Sequence, residues 1–372
     1  MSNILSYFSQ GKYDKILIFT AATLWIFGVF VVYSATRTIG GYTNVLVQFV
    51  AGIIGIVLMM LLCYFDYRVL APLAKYIAVA CAGLLIVVLV SGITGIWGSK
   101  SWIKIGGISI QPAELTKCGF IISLAYHVSK VKDNINRIPV LAGLLIHLGV
   151  PVGLILLQPD FGTAVVYVVI FLVVIFSAGI SYKYVIGAAF AGSISAPFVY
   201  LILDEYQKKR IQVFLNPDLD PLGRGYNVIQ SKIALGSGGA IGNGYLKGTS
   251  TQMGFLPAKH TDFIFSSICE ELGFLGGIFV IIGLFLLIFR ILKIASQAHT
   301  YFGKFVCMGV CAMLFFHGFE NIGMCMGLLP VTGIPLPLIS YGGTSVITNF
   351  IAIGLVLSVS RLSRKDRVFG TV

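Results

Sequence analysis

Residues 256–289 read LPAKHTDFIFSSICEELGFLGGIFVIIGLFLLIF, and they contain both features that decide the fold. The apolar part, 263–289, is long enough to cross a bilayer as a helix, which takes about 20 residues. Asp262 comes directly before it, where the chain should leave the membrane for water. An ionisable group at such a position is costly, so the default interpretation of Asp262 is a functional one.

The rest of the chain repeats this apolar pattern. Of its 372 residues, 57% are hydrophobic and only 11% are charged, whereas a soluble domain is about 25% charged. Alternating strands of the outer-membrane barrel type are absent. The sequence therefore predicts an all-α polytopic membrane protein with about ten transmembrane helices, forming one integral membrane domain over residues 1–372. The predicted spans are 15–35, 44–64, 72–91, 112–128, 138–157, 163–180, 185–203, 263–289, 305–328 and 344–361.

The basic residues predict the orientation. With the N-terminus inside, fifteen of the 26 Lys and Arg residues lie on the inner side and ten on the outer side, seven of these in the loop 204–262. The positive-inside rule then places both termini in the cytoplasm and this long loop, between helices 7 and 8, outside. A net charge of +12 would suggest nucleic acid for a soluble protein, but here the charge follows the topology and predicts no nucleic-acid partner.

The outer loop 204–262 is basic although it lies on the outer side. Loops of this length without a function are uncommon, so it is either a solvated loop or a site for an anionic ligand, with Lys208 and Arg210 among its cations. Its glycine-rich stretch 236–244, GSGGAIGNG, fits no nucleotide-binding fingerprint. The glycines permit either close backbone approach or simple turning.

Two further outer loops surround the same region. Loop 92–111 contains Trp102, which fits either an interfacial aromatic belt or a contact with substrate. Loop 329–343 is rich in proline and glycine, and irregular backbone at membrane depth requires a covering of protein or a water-filled cavity. The three loops together predict a cavity in the outer half of the molecule.

Several polar residues fall inside or beside the predicted spans. Glu114 and Lys117 are three residues apart, share a helix face and can pair. Asp160 can cap the helix that follows it. Glu270 and Glu271 lie near the face of Asp262 and are expected to pair with a basic group of another helix. The seven cysteines have no CxxC spacing and are interpreted as small core residues, so no metal site is predicted.

Five stretches carry a resemblance to a known family. They resemble the SEDS family (shape, elongation, division and sporulation), in order and at the expected spacing from span 4 to span 10. Within them, TSTQMGFLPAKHTDFIF (249–265) is more similar to the rod-shape branch than to the division branch. The stretches are SKSWIKIGGISIQPAELTK (99–117), QPDFGTA (158–164), NPDLDPLGRGYNVIQSKIALGSGG (216–239), GFLPAKHTDFIFSSICEELGFLG (254–276) and NIGMCMGLLPVTGIPLPLISYGGTS (321–345).

The resemblance implies a peptidoglycan glycosyltransferase in the bacterial cytoplasmic membrane. Such proteins polymerise lipid II, an undecaprenyl-pyrophosphate-linked disaccharide, at the outer face, and work with a class B penicillin-binding protein and other elongation proteins. Asp262 matches the family's essential aspartate, and Arg210, Glu114 and Lys117 match other polar positions. Trp102, Lys208 and His260 are added as candidate substrate contacts. A divalent cation (Mg²⁺ or Mn²⁺) is an expectation without a dedicated site in the sequence.

Two other classes of function stay open. A lipid II flippase suits ten spans with buried charges, but it needs access from both faces, and the inner loops 65–71, 129–137, 181–184 and 290–304 are short. A scaffold for a cell-wall complex gives Asp262 and the cavity no role. A paralogue that acts in division rather than elongation is the third alternative.

Overall fold

A computed structural model describes residues 13–93, 101–105, 108–187, 190, 193–194, 201, 208, 212–221 and 223–369. It contains a bundle of long helices and one small hairpin, in which β1 pairs antiparallel with β2. The elements are α1 Lys15–Thr36, α2 Tyr42–Tyr64, α3 Leu70–Ser91, β1 Ile103–Ile105, β2 Ile108–Ile110, α4 Pro112–Val131, α5 Ile138–Leu156, α6 Phe161–Ser177, α7 Arg224–Ser237, α8 Thr249–Gln252, α9 Ile264–Ser296, α10 Tyr301–Cys325 and α11 Gly343–Phe369.

Nine of the ten predicted spans coincide with helices α1–α6 and α9–α11. In the part of the chain that the structure describes, seven helices are long and apolar enough to cross a membrane, and α6 is a shorter apolar helix. The predicted multi-pass helical fold is thereby confirmed. The predicted seventh span, 185–203, lies mostly outside the described residues.

Helices α10 and α11 form the centre of the bundle. In their most apolar windows 72% and 83% of the residues are buried, compared with 11% in α5, which lies at the periphery. The central helices pack against α1, α2, α4, α6 and α9, and Phe350 of α11 contacts the Trp25 ring of α1 edge to face at 6.2 Å. Polar side chains on α10 and α11 therefore lie in the interior, away from lipid.

The two ends of the bundle differ in the residues that they carry. One end carries Asp262 and is called the site end; there α1 and α10 finish while α9 and α11 begin. At the opposite end, Asp14 caps α1 and forms a salt bridge with Arg290. The helix termini there carry further basic residues, namely Lys15, Arg68, Lys130, Lys132 and Lys293. The positive-inside rule assigns this opposite end to the cytoplasm.

The described residues on either side of the predicted seventh span lie at different ends of the bundle. Ser181 donates its backbone N–H to Asn136 Oδ1 at 2.7 Å, in the turn between α4 and α5 at the opposite end. On α7, Ser231 donates to the carbonyl of Cys325 at 2.8 Å, at the site end. A seventh span requires this arrangement.

Helix α9 is broken at Gly273, and the glycine-rich stretch of the long loop packs into the break. Gly273 has φ 66° and ψ −163°, which separates 264–272 from 274–296. The backbone N–H groups of Asn243 and Gly244 donate to the carbonyls of Glu270 and Glu271, each at 3.0 Å. A Cβ atom on Gly238 would lie 1.8 Å from the Cys269 carbonyl oxygen. These glycines therefore serve close backbone approach.

Candidate active site

The segment 256–263, which leads into α9, has its backbone held at three consecutive carbonyls. Asn321 Nδ2 donates to the Asp262 carbonyl at 2.8 Å. Ser340 Oγ donates to the Thr261 carbonyl at 2.7 Å, and the Tyr341 N–H donates to the His260 carbonyl at 2.9 Å. The position of Asp262, which is only 6% exposed, is thus fixed by α10 and by the loop before α11.

Lys259 is buried beside Asp262 in the sequence, and His260 is partly buried. The Lys259 ammonium donates to the Thr251 carbonyl and to Thr38 Oγ1. Burial lowers the pKa of Lys259, and the charges of two nearby glutamates oppose this shift. Burial also lowers the pKa of His260, as does the positive charge of Lys259. Asp262 is the one carboxylate of the segment 256–263.

The two glutamates of α9, Glu270 and Glu271, accept hydrogen bonds from α8 and α1. Glu270 accepts hydrogen bonds from the backbone N–H groups of Ser250 and Thr251 at 2.6 and 2.9 Å, and from Thr251 Oγ1 at 2.6 Å. Glu271 accepts from Ser34 Oγ and from Gln252 Nε2.

The expected pairing with a basic group of another helix was wrong: the donors to Glu270 include backbone N–H groups at the start of α8, which need acceptors, and the nearby basic group is Lys259, in the segment before α9. Both glutamates attach α8 to the beginning of α9, and Glu271 connects it to α1 as well. They hold the chain that leads to Asp262.

Glu114 and Lys117 form the predicted ion pair. Lys117 Nζ lies 2.6 Å from Glu114 Oε1, and the same ammonium lies 3.0 Å from His317 Nε2 on α10. The three residues are between 0 and 4% exposed. Sequence reasoning missed His317. An ionisable residue inside an apolar span is itself a signal of function, and its spacing of four from Asn321 places both on one face of α10.

The last two turns of α10 connect the ion pair to Asp262. His317 contacts Lys117, Asn321 holds the Asp262 carbonyl, and Glu320 accepts a hydrogen bond from Thr332 Oγ1 at 2.9 Å. A carboxylate at the membrane boundary and a buried cation are therefore held by one helix. Such an arrangement suits a reaction in which a proton leaves one reactant while negative charge develops on another.

Asp160 acts as a helix cap, as predicted. Its Oδ1 accepts from the Thr163 N–H at 3.1 Å at the start of α6, and its Oδ2 accepts from Gln111 Nε2 at 3.1 Å. Burial raises the pKa of Asp160, while the bonds from Thr163 lower it. Asp160 therefore joins α6 to the residue that precedes α4.

The remaining candidates occupy the outer loops. Trp102 is partly buried beside the hairpin, and its carbonyl accepts from the Ile93 N–H at 2.8 Å. Lys208 is a partly buried residue of the long loop. Arg210 lies outside the described residues. All seven cysteines are free thiols, and among the described residues no group of three or more His, Cys, Asp and Glu side chains is placed to hold a metal ion.

The whole chain is similar to known proteins. The family model described as "Cell cycle protein" (FtsW/RodA/SpoVE) matches residues 14–365. The probable peptidoglycan glycosyltransferase FtsW of Trichlorobacter lovleyi is 35% identical over 365 residues, which covers 95% of this chain and 94% of the relative. The peptidoglycan glycosyltransferase MrdB of Escherichia coli K12 is 34% identical, with 96% of each chain covered.

Solved structures share the fold. A chain described under "Structural coordination of polymerization and crosslinking by a peptidoglycan synthase complex" matches with a TM-score of 0.81 and 34% identity, over 95% of this chain and 99% of that chain. The rod shape determining protein RodA of Thermus thermophilus matches with a TM-score of 0.71 and 29% identity, over 96% of this chain and 99% of that chain.

Proposed function

Because the chain belongs to the SEDS family of FtsW, RodA and SpoVE, we propose that it is a peptidoglycan glycosyltransferase of the bacterial cytoplasmic membrane. The observation that carries this proposal is the full-length similarity, at 34–35% identity, to relatives named as enzymes of that class. The substrate is lipid II, whose pyrophosphate and sugar hydroxyls suit a site with a buried cation and a boundary carboxylate. Polymerisation takes place at the outer face of the membrane.

In the proposed mechanism Asp262 is the general base. Its carboxylate takes the proton from the 4-hydroxyl of the acceptor GlcNAc. The hydroxyl oxygen then forms a bond to C1 of the donor MurNAc, with inversion to a β-1,4 linkage. The bond between C1 and the pyrophosphate oxygen breaks, and undecaprenyl pyrophosphate leaves with the electron pair. The fixed backbone of 260–262 keeps the base in place without reorganisation during the reaction.

The developing negative charge on the pyrophosphate needs cations. Lys117, Lys208 and Arg210 are the proposed groups, and electrostatic stabilisation of this kind is usually the largest single contribution to catalysis. Mg²⁺ or Mn²⁺ would take oxygen ligands from the pyrophosphate, since hard cations prefer phosphate oxygens, and would neutralise part of the same charge. Polymerisation measured with and without a chelator tests the cation: loss of activity on chelation and recovery with Mg²⁺ or Mn²⁺ is the expected result.

We assign the chain to the rod-shape branch because of the stretch 249–265, so its role is elongation of the cell wall. Its partner is a class B penicillin-binding protein, which cross-links the strands. The solved chain from a complex that coordinates polymerization and crosslinking supports this partner. Depletion of the protein in its host tests the branch: rounded cells support elongation, whereas filaments with failed septa contradict it.

The experiment that tests the enzymatic function uses the purified full-length protein with lipid II in detergent. The partner penicillin-binding protein is added in a form unable to carry out transglycosylation. Glycan strands resolved on a gel are the expected product. If no strands form under any partner condition, and vesicles containing the protein move lipid II between leaflets, the protein is a transporter and the proposed function is refuted.

A further inference from the structure

The ammonium of Lys117 is one of the three cations proposed to stabilise the pyrophosphate charge, and it is buried. An ammonium has three N–H donors, and among the described residues it contacts two acceptors, Glu114 Oε1 and His317 Nε2. Glu114 lies three residues from Lys117 on the same helix, so their pair by itself is fixed only to α4. The contact with His317 is the one that attaches the ammonium to α10.

The hydrogen bond to Lys117 defines the protonation state of His317. A lysine ammonium only donates, so His317 Nε2 must accept with its lone pair, and the imidazole proton must be on Nδ1. Protonation of both nitrogens would place two positive charges 3.0 Å apart in the interior, where such repulsion is poorly screened. His317 therefore acts as a neutral acceptor that leaves the lysine charge intact.

The buried polar atoms beside the ion pair are not all hydrogen-bonded among the described residues. His317 is fully buried, and its Nδ1 has no hydrogen-bond partner among the described residues; the same is true of Glu114 Oε2. Buried polar atoms in proteins nearly always have a partner, either protein or water.

Helix α10 contacts both the Lys117 ammonium and the backbone of Asp262, from adjacent turns. Asn321, four residues beyond His317, donates to the carbonyl of Asp262 at 2.8 Å. Residues four apart lie on the same face of a helix, about one turn apart. His317 and Asn321 thus fix the cation and the base to the same rigid element.

We propose that His317 is a positioning residue. It holds the Lys117 ammonium at a fixed position relative to Asp262, so that the cation stabilises the negative charge that develops on the pyrophosphate. The inference rests on the proposed glycosyltransferase function, and it adds a residue to which that function had given no role. A side chain that acts on the transition state in this way affects kcat more than KM.

The first arm of the test measures lipid II polymerisation by the full-length protein with its partner. His317→Met removes the acceptor at similar volume, while His317→Gln keeps an amide oxygen that can accept from Lys117. We expect His317→Met to lower kcat about tenfold or more, which corresponds to one hydrogen bond to a charged group, with KM changed by less than about threefold. The Gln variant should recover most of this loss, and His299→Gln at the opposite end should match wild type.

The second arm needs no activity. Thermal unfolding is measured for wild type, His317→Met, Lys117→Met and the double variant, because residues in contact give non-additive effects. The Lys117–His317 contact is called the tether. It is supported if the double variant unfolds at a higher temperature than the sum of the two single shifts predicts. Additive shifts, or a Gln variant as slow as the Met variant, would overturn the proposal.

The two arms separate failure of this inference from failure of the proposed function. If wild type makes no glycan strands, the proposed function fails and the catalytic part of the His317 proposal fails with it, whereas non-additive unfolding still supports the tether. If wild type makes strands, an unchanged kcat in His317→Met refutes the role of His317 alone.

Discussion

Replacement of Glu270 by glutamine tests how the chain before Asp262 is held. The Glu270 side chain is fully buried, and its two oxygens accept three hydrogen bonds, two of them from the backbone N–H groups of Ser250 and Thr251. Glutamine has one oxygen and one NH₂ group. Because a backbone N–H can only donate, the NH₂ group must face at least one donor that it cannot satisfy.

The expected loss follows from these contacts. A buried donor without an acceptor costs about 1–3 kcal/mol, and the remaining bonds lose the advantage of a charged acceptor, about 1 kcal/mol. The removal of a buried charge offsets part of this cost. Glu270→Gln should therefore lower the free energy of unfolding by about 2–3 kcal/mol.

Glu271→Gln is the matched control, since the neighbouring residue is also a buried carboxylate. Its partners are the hydroxyl of Ser34 and the side-chain amide of Gln252. A hydroxyl can turn and accept from the new NH₂ group, so the network can be rebuilt and the expected loss is below about 1 kcal/mol.

Unfolding of both variants in detergent, followed by tryptophan fluorescence against increasing denaturant, measures the difference. Equal losses, or a larger loss for Glu271→Gln, would refute the reasoning from fixed and rotatable donors. A wild-type free energy of unfolding in Glu270→Gln would show that α8 does not depend on this carboxylate.

Three further predictions concern the same end of the molecule. Gly238→Ala should destabilise the fold, because its Cβ would lie 1.8 Å from a carbonyl oxygen, whereas Gly236→Ala, with open space around it, should not; thermal unfolding of both variants checks this. Stability should fall as the pH drops below about 6.5, because burial keeps the folded-state pKa of His260 below its unfolded value of 6.5; an unchanged pH slope in His260→Gln would contradict this. Glu114→Gln and Lys117→Met should each cost about 3–5 kcal/mol by leaving a buried charge unpaired, and the double variant should be more stable than either single one in denaturant unfolding.

Much of the fold follows from hydropathy. The predicted spans 72–91 and 138–157 differ from α3 and α5 by one or two residues at their ends, because about 20 apolar residues are what a membrane-spanning helix requires. Helix α9 continues to Ser296, beyond the predicted end at 289, and Ile291, Ile294 and Ala295 of its last turns are buried although the charged residues Arg290 and Lys293 interrupt the apolar run. Hydropathy cannot mark the end of such a helix.

The break at Gly273 did not follow from the sequence. A single glycine in an apolar helix is common, and its φ of 66° matters here only because a loop that precedes it by about 30 residues packs into the break. The same stretch ends α7, which runs through Gly236 and finishes at Ser237: Gly239, with φ 55°, takes the left-handed conformation that ends helices. A contact between distant segments decided the break.

The candidate site was predictable where partners are close in sequence. The pair Glu114–Lys117 and the cap at Asp160 each depend on a spacing of three residues. The third partner of the ion pair, His317, lies 200 residues away on another helix, and no periodicity connects them. The glutamates of α9 were assigned the wrong partners for the same reason, since their donors belong to two other helices, α8 and α1.

The most direct test of the central claim compares Asp262→Asn with wild type in lipid II polymerisation. Asp133→Asn, an exposed aspartate at the opposite end, is the control for the chemical change. Loss of a general base predicts a fall in kcat of about 10²–10⁴-fold, with wild-type unfolding temperature and wild-type activity in the control. Glycan strands formed by Asp262→Asn at the wild-type rate would contradict the account.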